Sequence, residues 1–213
     1  NPGWVRLQCP SRGMAAWLLR AIVVENVAVR ADDTILELPA APVYRLHKEI
    51  KNVITVIAKT AHYWVGHMSV MHRQTIADLI EGMTEESPLV APAYGSGQAD
   101  VSVHEALATR LADAIERDTG LARSSHRHRD WLGLDCGTVR TAVWMMRMMV
   151  TVNVLSRREG TVMFVPISPA VDPDGEIVAS SVALVHRMAM LRSPRIALER
   201  DGVHTLPDHG QAP

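Results

Sequence analysis

Residues Trp4-Val5-Arg6-Leu7-Gln8-Cys9 alternate apolar and polar side chains, the period of a half-buried strand, and Trp131–Cys136 match them. Ser11 and Thr138 then stand where a helix N-cap belongs, ahead of apolar helical stretches running to about Arg30 and Arg157. Short second strands follow at Thr34–Pro39 and Thr161–Pro166, each stopped by a proline that has no N–H to continue a ladder. Long helices start near Tyr44 and Gly175. Strand–helix alternation of this kind predicts an α/β fold: two pseudo-symmetric strand-helix-strand-helix copies around a mainly parallel sheet, with a helical insert between them.

The two halves align without gaps at a constant offset of 127 over residues 4–50 and 131–177. Identities include Trp4/Trp131, Cys9/Cys136, Trp17/Trp144, Arg20/Arg147, Asn26/Asn153, Arg30/Arg157 and Pro39/Pro166, so the sequence reads as an internal duplication. The expected organisation is a first copy at 1–72, a helical insert at 73–130 and a second copy with its tail at 131–213, packed as one pseudo-twofold domain. Within the insert, Gln74–Glu86 and Val103–Asp118 read as helices, and Ser87–Asp100 as a Pro- and Gly-rich loop. Gly95-Ser96-Gly97 in that loop lacks the strand–turn–helix setting of a phosphate motif.

Composition adds limits. A net charge of −1 gives no global pull toward nucleic acid or an anionic membrane surface. No apolar run reaches the roughly 18–20 residues of a membrane span. Two cysteines are too few for a disulfide-built domain, and a cytoplasmic location is the expectation. Of 22 basic residues only Lys48, Lys51 and Lys59 are lysines, and they cluster.

On a helix from Tyr44 onward, Lys48, Asn52, Thr55, Lys59 and His62 share one stripe, with Lys51 at its edge. Ile50, Val53, Ile54, Ile57, Ala61, Trp64, Val65 and Met68 lie opposite. The stripe holds amines and no carboxylate, which suits a small anionic ligand; a plain solvated face is the competing reading. In the second copy Gly175, Val178, Ala179, Val182 and His186 occupy the positions of Lys48, Lys51, Asn52, Thr55 and Lys59. That helix reads as packing. The difference fits either a ligand-specialised first half or one exposed and one internal helix.

Cys9 and Cys136 each end a strand and precede a helix N-terminus, where the helix dipole lowers a thiol pKa. Facing each other across a pseudo-twofold axis, they would serve as nucleophile or as a catalytic acid–base pair acting on opposite faces of a carbon acid. Small buried residues, metal ligands or a disulfide are the other readings. Symmetry and cysteine placement resemble the two-cysteine racemase and isomerase families, which also use pseudo-symmetric α/β halves. Their Cys-Asn-Thr and Cys-Thr-His strings are replaced here by Cys9-Pro10-Ser11 and Cys136-Gly137-Thr138. Arg20, Asn26 and Arg30, kept in both halves, read as a shared polar network between the copies.

Histidines at 62, 67 and 72 rotate by about 140° per step on one helix and scatter. Neither a metalloprotease, a Cys-x-x-Cys nor a nucleophile-elbow motif occurs, so no cofactor or metal is expected. The leading expectation is a cofactor-independent isomerase, racemase or lyase using Cys9 and Cys136, with the Lys48–His62 stripe binding a small anionic metabolite. The alternative is a metal- or cofactor-binding or maturation protein that uses the cleft without turnover. Expected partners are that small ligand and a second copy in a homodimer, with neither nucleic acid nor membrane.

Overall fold

The computed structural model describes residues 3–86, 88–92 and 101–201. Its first unit runs β1 (Trp4–Gln8), α1 (Arg12–Val24), β2 (Arg30–Asp32), β3 (Ile35–Pro39) and α2 (Lys51–Gly66), the last entered through a π-helical turn at Leu46–Ile50. Helices α3 (Val70–Glu86) and α4 (Val101–Thr119) follow. The second unit runs β4 (Trp131–Asp135), α5 (Val139–Met149), β5 (Arg157–Glu159), β6 (Val162–Pro166) and α6 (Glu176–Asp201). The Gly95-Ser96-Gly97 stretch lies outside the described residues.

Helix starts follow the expected chemistry. Ser11 Oγ accepts from the Met14 N–H at 3.2 Å, and Thr138 Oγ1 from the Thr141 N–H at 3.1 Å. The ends do not reach Arg30 and Arg157. Asn26 (φ 62°) and Asn153 (φ 61°) adopt the left-handed conformation, which asparagine tolerates better than other non-glycine residues. That turn releases the chain early enough for a short strand, β2 or β5, before the second predicted strand.

The extra strand overturns the expected parallel sheet. A tight turn at Asp33-Thr34, with Asp33 at φ 52°, sends β3 back antiparallel to β2. β3 then pairs antiparallel with β1, from Trp4↔Pro39 to Gln8↔Ile35. β1 and β2 do run in the same direction, but β3 lies between them, so each sheet is a small antiparallel one of order β1-β3-β2. The second sheet repeats this at the same offset of 127: order β4-β6-β5, register Trp131↔Pro166 to Asp135↔Val162, and Gly160 (φ 56°) in place of Asp33. The mainly parallel strand–helix architecture is therefore incorrect. The reason is a hairpin whose three-residue strand is too short to stand out from the apolar period around it.

One core lies under the first sheet, where Leu18, Leu19, Ile22, Leu36 and Leu38 pack with Val150 and Leu155 of the second unit. A larger core joins the second sheet and α5 to α4 and α6 through Leu134, Met145, Met163, Leu111, Ile115, Val178 and Val182. Helix α3 packs on α1, where a Cβ on Gly13 would lie 2.6 Å from Ala77 Cβ.

Polar residues common to both halves join the units. Arg20 donates to Asn153 Oδ1 at 2.6 Å, and Arg147 Nε to Val24 O at 3.4 Å. Asn26 exchanges two hydrogen bonds with the Arg158 backbone, donating at 3.0 Å and accepting at 2.7 Å. Val90, fully buried, adds backbone bonds to Asn153 O and from Leu155 N. Arg30 and Arg157, by contrast, lie on β2 and β5, where Arg30 caps the Trp4 ring at 3.7 Å.

Two stability predictions follow from this packing. Asn26→Gly keeps the left-handed turn but removes both cross-unit bonds, costing about 1 kcal/mol each. Asn26→Ala adds a conformational penalty of about 1–2 kcal/mol. Urea denaturation should rank wild type above Gly above Ala; equal losses for the two variants would contradict the left-handed requirement. Gly13→Ala should lower the melting temperature despite a gain of about 1 kcal/mol in helix propensity, because overpacking against Ala77 costs about 1–3 kcal/mol.

Candidate functional site

Helices α1, α2 and α3 do not close completely on one another. They enclose, with the turn after α5, a cavity of about 700 Å³. Trp17, Arg20, Ala21 and Val24 line it from one side of α1 at spacings of three and four residues, one face of a helix. Thr60 and Tyr63 come from α2, Ile80 and Met83 from α3, and Val150 and Thr151 from the second unit. Most of the wall is apolar or aromatic. Trp17 stacks on Tyr63 with centroids 6.1 Å apart and an interplanar angle of 9°, and tilts against Trp64 at 5.3 Å.

Besides Arg20 and Tyr63, four charged or titratable side chains among the described residues line the cavity. Lys59 and Glu25 neutralise one another at 2.9 Å. His62 and His67 place their Nε2 atoms 3.3 Å apart. Arg20 differs from the rest: its terminal nitrogens donate to Ala16 O at 3.0 Å and Asn153 Oδ1 at 2.6 Å, both uncharged acceptors. Its Nε is buried with no hydrogen-bond partner among the described residues, and none of their ion pairs includes it. Burial pulls its pKa down, since taking a cation from water without a counter-ion disfavours the charged form.

The cysteines stand elsewhere. Cys9 is 3% exposed in the first core and Cys136 is 7% exposed in the second, so the two thiols belong to different clusters and line no common cavity among those described. Helix N-termini were expected to lower their pKa values. Burial instead raises Cys9, and pushes Cys136 up to about 11, with the nearby Asp135 charge acting in the same direction. Desolvation of the thiolate is the largest cause at both positions. Each thiol thus packs in the core of its own unit.

The lysine stripe is divided. Lys48, Lys51, Asn52, Thr55, Lys59 and His62 are all exposed, yet only Lys59 and His62 reach the large cavity. Asn52 borders a separate hollow of about 180 Å³ with Tyr44, Glu49 and Arg158. Thr55 donates to its own helix, at Lys51 O. In the second unit the aligned Val178, Ala179 and Val182 are buried in its core. The two helices thus bury different faces: α2 buries Val56, Thr60 and Trp64, whereas α6 buries the positions aligned with Lys51, Asn52 and Thr55 and exposes Arg187 and Leu191, aligned with Thr60 and Trp64. Exposure of one helix and burial of the other accounts for the lysine contrast.

Reading the sequence identified Arg20 as a polar residue needing a partner, but as part of the frame rather than of a site. Trp17, Tyr63, Glu25 and His67 were not singled out as ligands. The signal for His67 was the adjoining Gly66, where α2 stops. Beyond a helix end the rotation rule no longer scatters side chains, and the ring turns back onto His62.

No protein-family model, curated protein or solved structure matches this chain.

The thiol environments predict slow alkylation. Cys9 and Cys136 should react with iodoacetamide at pH 8 roughly tenfold or more slowly in the folded chain than in denaturant. Rates that match between the two conditions would contradict the burial of the thiols.

Proposed function

We propose that this chain is a binding protein for a small amphipathic anion. The apolar part of the ligand fills the cavity between α1, α2 and α3, and its carboxylate or similar group pairs with Arg20. The observation that carries this reading is a half-buried guanidinium, lining an apolar cavity, whose partners among the described residues are uncharged. A guanidinium has five N–H donors, of which Arg20 uses two, and its planar fork suits a carboxylate. The cavity volume of about 700 Å³ falls within the roughly 300–1,000 Å³ range of small-molecule pockets. Lys59, already paired with Glu25, contributes charge at the rim rather than the anchor.

Binding without turnover is favoured over paired-thiol isomerase chemistry. No cysteine lines the cavity, and the one carboxylate among its described lining residues, Glu25, is held by Lys59. The constant offset of 127 in strand register, in left-handed asparagines and in helix caps supports reading the scaffold as an internal duplication. In that reading the first half supplies most of the ligand-binding wall and the second half completes it at Val150 and Thr151.

Dodecanoate and dodecanol serve as probes, followed by calorimetry and by the fluorescence of Trp17. Wild type should bind the carboxylate more tightly than the alcohol. Arg20→Met should lose carboxylate affinity about tenfold, or about 1.4 kcal/mol, while keeping the alcohol. Because Arg20 also holds Asn153, Ala21→Phe provides a second test by filling the cavity from a position outside that network, and should abolish both. Unchanged carboxylate affinity in Arg20→Met, or no binding of either probe to wild type, would overturn the reading.

A further inference from the structure

We propose that His62 and His67 form a two-histidine site for a divalent transition-metal ion, Zn²⁺ in the first instance, at the rim of the cavity. Helix α2 ends at Gly66, and His67, at φ −115° and ψ −12°, closes it with an N–H bond to Tyr63 O at 3.0 Å. That departure from helical geometry brings the two imidazoles within 5.1 Å of each other, centroid to centroid, at an interplanar angle of 80°. Their Nε2 atoms are 3.3 Å apart. Two Zn–N bonds of about 2.0–2.1 Å at a tetrahedral angle place the nitrogens about 3.3–3.4 Å apart. The spacing that lets one ring donate to the other through Nε2 is thus also the spacing at which both nitrogens reach one ion.

Other features favour the same assignment. His67 stacks on Tyr63, with centroids 5.6 Å apart and an interplanar angle of 27°, which holds one ligand ring in place. Both rings are exposed, so a hydrated ion reaches them without local unfolding. Lys59, the nearest cation on the same helix to line the cavity, is neutralised by Glu25. Among the described residues no cluster of three or more His, Cys, Asp or Glu side chains completes a closed site. Two protein nitrogens then leave two positions of a tetrahedral ion for water or an incoming carboxylate, the open coordination of an exchangeable site rather than a structural one. Imidazole nitrogen is a ligand that Zn²⁺, Cu²⁺ and Ni²⁺ all accept, so chelation by the pair sets the class of ion rather than a single element.

The inference goes beyond anion binding and is tested separately, with Zn²⁺ alone and no organic ligand present. Calorimetry on the full chain should give one Zn²⁺ site whose affinity falls tenfold or more in His62→Gln and in His67→Gln. His72→Gln, an exposed histidine five residues further along, should leave it unchanged. Ring ¹⁵N spectra should show Zn²⁺ perturbing Nε2 of both histidines. Absence of binding to wild type, or equal affinity in the His62→Gln/His67→Gln double variant, overturns the site, and the dodecanoate experiment is unaffected by either result.

Discussion

A guanidinium removed from water must find acceptors, and the acceptors available to Arg20 define how the two halves of this chain meet. One is its own helix, at Ala16 O; the other is Asn153, in the turn that ends α5. Asn153 can offer its side chain there because the left-handed conformation stops the helix and turns the chain. Asn26, in the same conformation after α1, clasps the Arg158 backbone in both directions. Each asparagine thus ends a helix and bonds across to the other unit. Loss of either leaves donors or acceptors stranded in a half-buried interface, where they are worth more than on a surface.

The two units are alike in sheet order and register but not in how their last helices are used. α6 lies between α5 and α4, so positions on more than one of its sides are apolar and buried. α2 rests on α1, and the positions equivalent to the buried valines of α6 face water as Lys51 and Thr55. Lys51 is exposed where its aligned Val178 is buried. The same difference leaves the space bounded by α1, α2 and α3, which becomes the large cavity.

That cavity separates chemical roles by position. Stacked aromatics and aliphatic side chains supply area without strong direction, while Arg20 supplies one fixed charge whose existing partners hold it in place. The Lys59–Glu25 pair is exposed, screened by solvent and already satisfied, and contributes little to discrimination. The histidine pair adds a second kind of donor at the rim. The cavity thus sets an apolar wall, a guanidinium held by two uncharged acceptors and a pair of imidazoles side by side. The thiols stand outside this wall, and burial raises the pKa of both.

Several features were legible without coordinates because they depend on neighbours in sequence. Alternation marked β1 and β4, hydroxyl caps marked the starts of α1 and α5, prolines marked the ends of β3 and β6, and the offset of 127 predicted matching registers. Retention of Arg20, Asn26 and their counterparts also pointed to a network between the halves. Tertiary structure alone decided the rest. β2 and β5 are three residues long, and their hairpins changed the sheet from parallel to antiparallel. Which face of an amphipathic helix turns inward depends on what else lies beside it, so α2 and α6 diverged from aligned sequence. Burial reversed the expected shift of the thiols. Local sequence determines backbone preference and period; the desolvation of a charge, and the company a side chain keeps, depend on segments distant in the chain.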